Sequence, residues 1–326
     1  MWFRSLVSRR LVLSLAVTTF GLAAISVPAW ATFPGTNGRI AFASDAAGDL
    51  DIWTMNPDGS GVVNVTEGAG APGFALEPDW SPDGTKIAFR SGPANAGEIY
   101  TVNGDGTGVT QLTFNSFKDY TPAWSPDGST IAFASNRNDP SATCLSLFSS
   151  CNIDIFVMPA TGGSPVQVTF GTGTEQFPQF SPDGSSIAYT SNTDGATAVY
   201  TVDLATLATT KLTADSLRAG PPDWSPDGTK IVFEHNFYPC NTGTSDCRTA
   251  IFVMNADGSA ITRLTEKFGN NTDPTWSPEG DKIVFTHSLG AGFKHQQTYT
   301  MNPDGTGITR ITHTNDESFG PDWGSG

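Results

Sequence analysis

Six returns of one strand-and-turn pattern, its continuation across both chain ends, and the lack of any helical period predict an all-β fold. The expected architecture is a six-bladed β-propeller with four-stranded antiparallel blades, its ring closed by pairing of the N- and C-terminal strands. The most visible return is Trp80-Ser81-Pro82-Asp83-Gly84, which recurs from Trp124, Phe180, Trp224 and Trp276, with Glu279 replacing Asp in the last copy. A shortened copy, Pro321-Asp322-Trp323-Gly324, ends the chain. The aromatic residues stand 44, 56, 44, 52 and 47 positions apart, the period of a repeat array.

Residues 1–31 read as a signal peptide. Arg4, Arg9 and Arg10 precede an apolar run from Leu11 to about Val27, and Ala29-Trp30-Ala31 offers small residues for cleavage. The run is too short and poorly flanked for a membrane span. Ser8-Arg9-Arg10-Leu11 leaves the route open between general and twin-arginine export, and no cysteine stands near the cleavage point to take a lipid. Residues 32–326 then form one propeller domain, because the repeats fill them from end to end.

Each repeat resolves into the same pieces. In aromatic-Ser-Pro-Asp-Gly, Pro sets φ, Asp suits the next turn position and Gly takes the left-handed one. A second strand follows seven residues after the aromatic: Ile87-Ala88-Phe89, Ile131-Ala132-Phe133, Ile187-Ala188-Tyr189, Ile231-Val232-Phe233 and Ile283-Val284-Phe285, with Ile40-Ala41-Phe42 as the sixth. After a variable loop comes a third strand, such as Ile155-Phe156-Val157-Met158 or Ile251-Phe252-Val253-Met254. Tight turns such as Asn56-Pro57-Asp58-Gly59 lead to a fourth, closing on Val65-Thr66, Leu112-Thr113, Val168-Thr169, Leu212-Thr213, Leu264-Thr265 or Ile311-Thr312. The chain opens on a second strand and ends on a first, so joining them leaves no exposed edge.

Two pieces carry a family resemblance: Ser-Pro-Asp-Gly followed by Ile-Ala-Phe, and Tyr299-Thr300-Met301-Asn302-Pro303-Asp304-Gly305 followed by Thr306-Gly307. The repeat resembles the WD40-like PD40 repeat of the periplasmic TolB family's propeller domain. The resemblance implies the propeller and leaves the activity open, since one fold carries many. TolB proper has a separate α/β domain ahead of its propeller; blade one here starts within about ten residues of the cleavage point, so a Tol–Pal role is not expected.

Composition narrows the partners. Removing three signal arginines leaves 14 of 17 basic residues against 32 acidic ones, a formal charge of −18. Such a surface repels phosphate backbones and excludes nucleic acid. A monomer is expected, exported to the periplasm or extracellular space, with a protein or cell-envelope partner; carbohydrate is a further possibility. No Gly-x-Ser-x-Gly, His-Glu-x-x-His or phosphate-cradling loop appears, so a non-catalytic role leads. The competing reading is a metal-assisted carbohydrate-active enzyme, a lyase or hydrolase, on the same face.

That face is the one with variable loops, from strand two to three and from strand four to the next blade. Cys144 and Cys151 fall in such a loop of blade three, and Cys240 and Cys247 in the matching loop of blade five. Export favours two local disulfides; a zinc site would need non-adjacent blades to meet. His235 and His287 occupy one repeat position on blades five and six, open to metal or acid–base work but also to the local hydrogen bonding that Ser supplies elsewhere. Among the loop aromatics, Phe117, Tyr120, Phe237 and Tyr238, with both histidines, are the expected partner-binding set. Glu77, Asp119, Glu175 and Asp273 precede inner strands and suggest a channel ring for a hard cation such as Ca²⁺. The Trp at each turn is assigned to packing between blades.

Overall fold

A short strand of alternating β-branched and aromatic residues cannot bury both its faces alone, and a ring gives every blade a neighbour on each side. The computed structural model describes residues 35–68, 73–93, 96–139, 152–236, 249–266, 269–288, 295–313 and 316–326. Within them lie six four-stranded antiparallel sheets. Blade one takes its inner strand, Ser318–Ser325, from the C-terminus and pairs it with Asn37–Ser44, setting Ile40 opposite Trp323. The inner strands of blades two to six are Phe74–Trp80, Asp119–Trp124, Glu175–Phe180, Ala219–Trp224 and Asn270–Trp276. The ring closure expected from the chain ends is therefore present. The expected signal peptide and both cysteine pairs, Cys144–Cys151 and Cys240–Cys247, lie outside the described residues.

Every residue of the repeated turn has a partner. Gly84 N–H donates to Ser81 O (2.9 Å), and Ser81 Oγ donates to Asp83 Oδ1 (2.6 Å). Thr85 N–H donates to that same carboxylate oxygen (3.1 Å), while Lys86 N–H donates to Ser81 Oγ (2.9 Å). Gly84 sits at φ +65°, where a β-carbon is strained. Successive turns also touch. A β-carbon on Gly128 would lie 3.4 Å from Pro82 of the preceding blade, and the same contact links Gly184 to Pro126, Gly228 to Pro182 and Gly280 to Pro226. Across the closure, Ser325 Oγ donates to Pro82 O (2.6 Å).

The core runs in the seams between blades. Strands two and three of one blade pair an aromatic from each, as in Phe89–Tyr100 (5.8 Å), Phe133–Phe156 (6.1 Å) and Phe233–Phe252 (5.9 Å) between ring centroids. Trp80 packs in the seam between blades one and two. A β-carbon on Gly324 would come within 2.6 Å of its indole and one on Gly104 within 2.9 Å. The threonine that closes each repeat is also explained. Its Oγ1 accepts an N–H from the start of the third strand, the second or third residue, in all six blades: Ile52 to Thr66, Ile99 to Thr113, Ile155 to Thr169, Val199 to Thr213, Ile251 to Thr265 and Thr298 to Thr312, at 2.8–2.9 Å. The fourth strand is only two or three residues long, so a side chain replaces a missing ladder bond.

Replacing Thr213 by Val keeps the shape but leaves the buried Val199 N–H without that acceptor. The urea midpoint should fall by the equivalent of about 1–3 kcal/mol. An unchanged midpoint would mean the hydroxyl bond contributes nothing.

Candidate functional site

Proline one residue into each inner strand's turn toward the axis removes a ladder donor, so the pairing must bulge there. The dipeptides are Glu77-Pro78, Thr121-Pro122, Phe177-Pro178, Pro221-Pro222, Asp273-Pro274 and Gly320-Pro321. Register shifts fall at these points in blades two to six. Glu77, Thr121, Phe177 and Asp273 take φ of 58°, 49°, 54° and 50°, a strained conformation for residues with side chains. The bulges line a central channel of about 100 Å³.

Below the bulges, Asp79, Asp223 and Asp322 share one repeat position and line the same channel. Each carboxylate reaches to the next blade: Asp79 Oδ2 accepts Trp124 N–H, Asp223 Oδ2 accepts Trp276 N–H, and Asp322 Oδ2 accepts Trp80 N–H, all at 2.7 Å. Asp79 is buried, and Asp223 and Asp322 border only the narrow space of the channel. Burial raises all three. Asp223 is pushed up to about 8 and Asp322 to about 6, while Asp79 rises well above its usual range, with the charges of Asp322 and Asp223 adding to burial. Above them, burial and the charge of Asp273 raise Glu234 to about 8, and Asp273 is itself raised by burial. Sequence reasoning passed over Asp79, Asp223 and Asp322. Their signal was an aspartate directly before the recurring aromatic in three of six copies.

The ring of acids expected in the channel divides. Glu77 and Asp273 line it, Glu77 ion-paired to Arg90 (3.7 Å). Asp119 and Glu175 do not, because they stand two residues earlier in the repeat and turn into the seams. Asp119 is held there by Arg137 Nη2 (3.0 Å) and Ser135 Oγ (2.5 Å). Tyr120 was expected on the surface, yet it is 2% exposed and packs with Ile187 and Tyr189 between blades three and four. Its position in the strand points it inward, and Gln176 Nε2 donates to its hydroxyl (3.3 Å). His235 and His287 each meet a partner of their own. His235 Nδ1 meets Leu217 O, and His287 Nδ1 meets Asn271 Oδ1 (2.9 Å). Burial lowers the pKa of both, for His235 together with the charge of Arg263. Phe237 and Tyr238 lie outside the described residues.

On the loop-rich face, aromatics stand exposed at three successive blade junctions: Phe74 (43% exposed) at the start of blade two's inner strand, Phe114 (75%) and Phe117 (41%) on the next loop, and Phe170 (63%) on the one after. Among the described residues these are the large exposed aromatic side chains. Among the described residues, no group of three or more His, Cys, Asp or Glu side chains is arranged to hold a metal ion. No described helix is long and apolar enough to cross a membrane.

The fold and its repeat define a six-bladed propeller of the PD40 class. The TolB beta propeller domain model matches residues 16–146, 137–242 and 240–326, and the chain belongs to that family. An uncharacterized protein of Agrobacterium fabrum is 32% identical over 145 residues, 43% of this chain and 45% of that protein. The Tol-Pal system protein TolB of Francisella tularensis is 35% identical over 88 residues, 27% of this chain and 19% of that one. The matched stretches thus span less than half the length of these relatives. TolB from Acinetobacter baumannii superposes with a TM-score of 0.69 at 22% identity, covering 90% of this chain and 67% of its own. A lyase and a peptidase share the fold at 14% identity.

Because the channel aspartates hold protons that the unfolded chain releases from about pH 4, stability should fall as pH rises toward 8. Asp223→Asn keeps an acceptor for Trp276 N–H and cannot ionise. Its melting temperature should exceed that of the wild type at pH 8 and not at pH 5. Parallel profiles for the two proteins would contradict protonation of Asp223.

Proposed function

We propose that this chain is an exported, non-catalytic propeller that binds a protein or cell-envelope partner through its loop-rich face. One observation carries the reading: Phe74, Phe114, Phe117 and Phe170 stand exposed at three consecutive blade junctions of the ring. Aromatic side chains held in that way supply large contact area at low entropic cost. The Pro-Asp-Gly turns of the opposite face are occupied by their own hydrogen bonds and offer less. Membership of a family that includes a Tol-Pal component supports a protein partner in an exported setting. Nothing specific favours the lyase or hydrolase alternative, since His235 and His287 are engaged within their own blades.

The test is a pull-down from envelope and culture fluid, with the purified chain and a Phe114→Ser, Phe117→Ser, Phe170→Ser variant as baits. A partner held by the first bait should lose at least about tenfold in recovery with the second, as expected when aromatic anchors are removed. Equal recovery on both baits would refute the loop-face reading.

A further inference from the structure

Two neighbouring seams solve one electrostatic problem differently. Between blades two and three, buried Glu98 and Asp119 meet across the seam. Asn115 Nδ2 donates to Glu98 Oε2 (3.2 Å) and to Asp119 Oδ2 (2.8 Å). Arg137 Nη2 lies 3.0 Å from each Asp119 oxygen, its guanidinium stacked 4.8 Å from the Phe156 ring. A bridging amide and a cation therefore compensate the two carboxylates.

Between blades three and four, Asp154 and Glu175 occupy the same two repeat positions and are 1% and 3% exposed. Here the position of the bridging amide holds Gly171 and that of the guanidinium holds Thr193. The backbone is conserved between the seams: Thr193 N–H donates to Ser191 Oγ (3.1 Å) as Arg137 N–H does to Ser135 Oγ (3.3 Å). Only the compensating groups are gone. Asp154 Oδ1 and Glu175 Oε2 are buried without a hydrogen-bond partner, and no described basic side chain pairs with either acid. An uncompensated buried carboxylate pair is costly, so something from solution must supply positive charge.

The surroundings specify what that is. Ser191 Oγ lies 2.9 Å from Thr193 Oγ1 beside Glu175, and the Asn152 amide lies 3.4 Å from Asp154 Oδ2. On its other side that amide contacts Gly171 O (2.8 Å) and Gly173 O (3.2 Å). A β-carbon on Gly171 would strike Glu175 Oε1 and sit 2.7 Å from Thr193 Oγ1, so glycine there lets the oxygens converge. We propose that this cage between blades three and four, built by Asp154 and Glu175 with Ser191 and Thr193, binds one hard divalent cation of the Ca²⁺ type. The ion does at this seam what Arg137 does at the one before. An all-oxygen donor set disfavours soft metals, and irregular protein geometry suits Ca²⁺ better than the octahedral Mg²⁺. Two carboxylates place its affinity in the weak range, about 10⁻⁴–10⁻³ M. The site is distinct from the channel.

The experiment takes the purified full chain, freed of metal with EDTA, and titrates CaCl₂ by calorimetry and by melting temperature, with MgCl₂ as control. CaCl₂ at about 10 mM should raise the melting temperature by about 2 °C or more and MgCl₂ by much less. Glu175→Gln and Asp154→Asn should each lose the CaCl₂ shift. Thr193→Arg imports the preceding seam's solution, and should melt in EDTA at least as high as the wild type while no longer responding to CaCl₂. The absence of heat and shift in the wild type would overturn the proposal, the buried pair then sharing a proton. Retention of the full response in all three variants would overturn it equally, by placing the ion elsewhere.

Discussion

The antiparallel pairing of Ser318–Ser325 with Asn37–Ser44 is the contact on which the rest of this molecule depends. It turns six blades, none able to bury both faces alone, into a ring in which each seam has two walls. The closure is hydrophobic as well as hydrogen-bonded, with Ile40, Phe42 and Trp323 in one cluster with Val284 of blade six. Without it two edges would stand open, and the channel acids would lose the enclosure that holds their protons.

The seams carry more than apolar contact. At the axis, Asp79, Asp223 and Asp322 each reach across to a tryptophan N–H of the following blade. Farther out, buried acids meet between blades two and three and between blades three and four. Their different compensation shows how an array of near-identical units acquires individual sites. The scaffold keeps the backbone and substitutes the side chains on it, as Arg137 and Thr193 illustrate at one position.

Much of this was legible in the residues. The turn Ser-Pro-Asp-Gly, the Ile-Ala-Phe strand and the terminal Val-Thr or Leu-Thr each have a local physical cause, so their recurrence transferred directly into blades. The packing role of Trp80 was legible for the same reason. Tyr120 was not: one step along a strand exchanges solvent for core, and a loop boundary misplaced by a residue reverses the expectation. The acids failed in a similar way. Glu77 and Asp273 stand three residues before the aromatic, Asp119 and Glu175 five, and only the bulge at the intervening proline sends the first pair to the channel and leaves the second in the seams.

The amino-acid order by itself determined the number of blades, their strands and turns, and the way the ends join, because each rests on interactions within a few residues or on a period. Tertiary structure alone decided which acids face one another. Asp154 and Glu175, or Asp79 and Asp322, become neighbours through the curvature of the ring, and the raised pKa of Asp79 follows from burial that no linear pattern records.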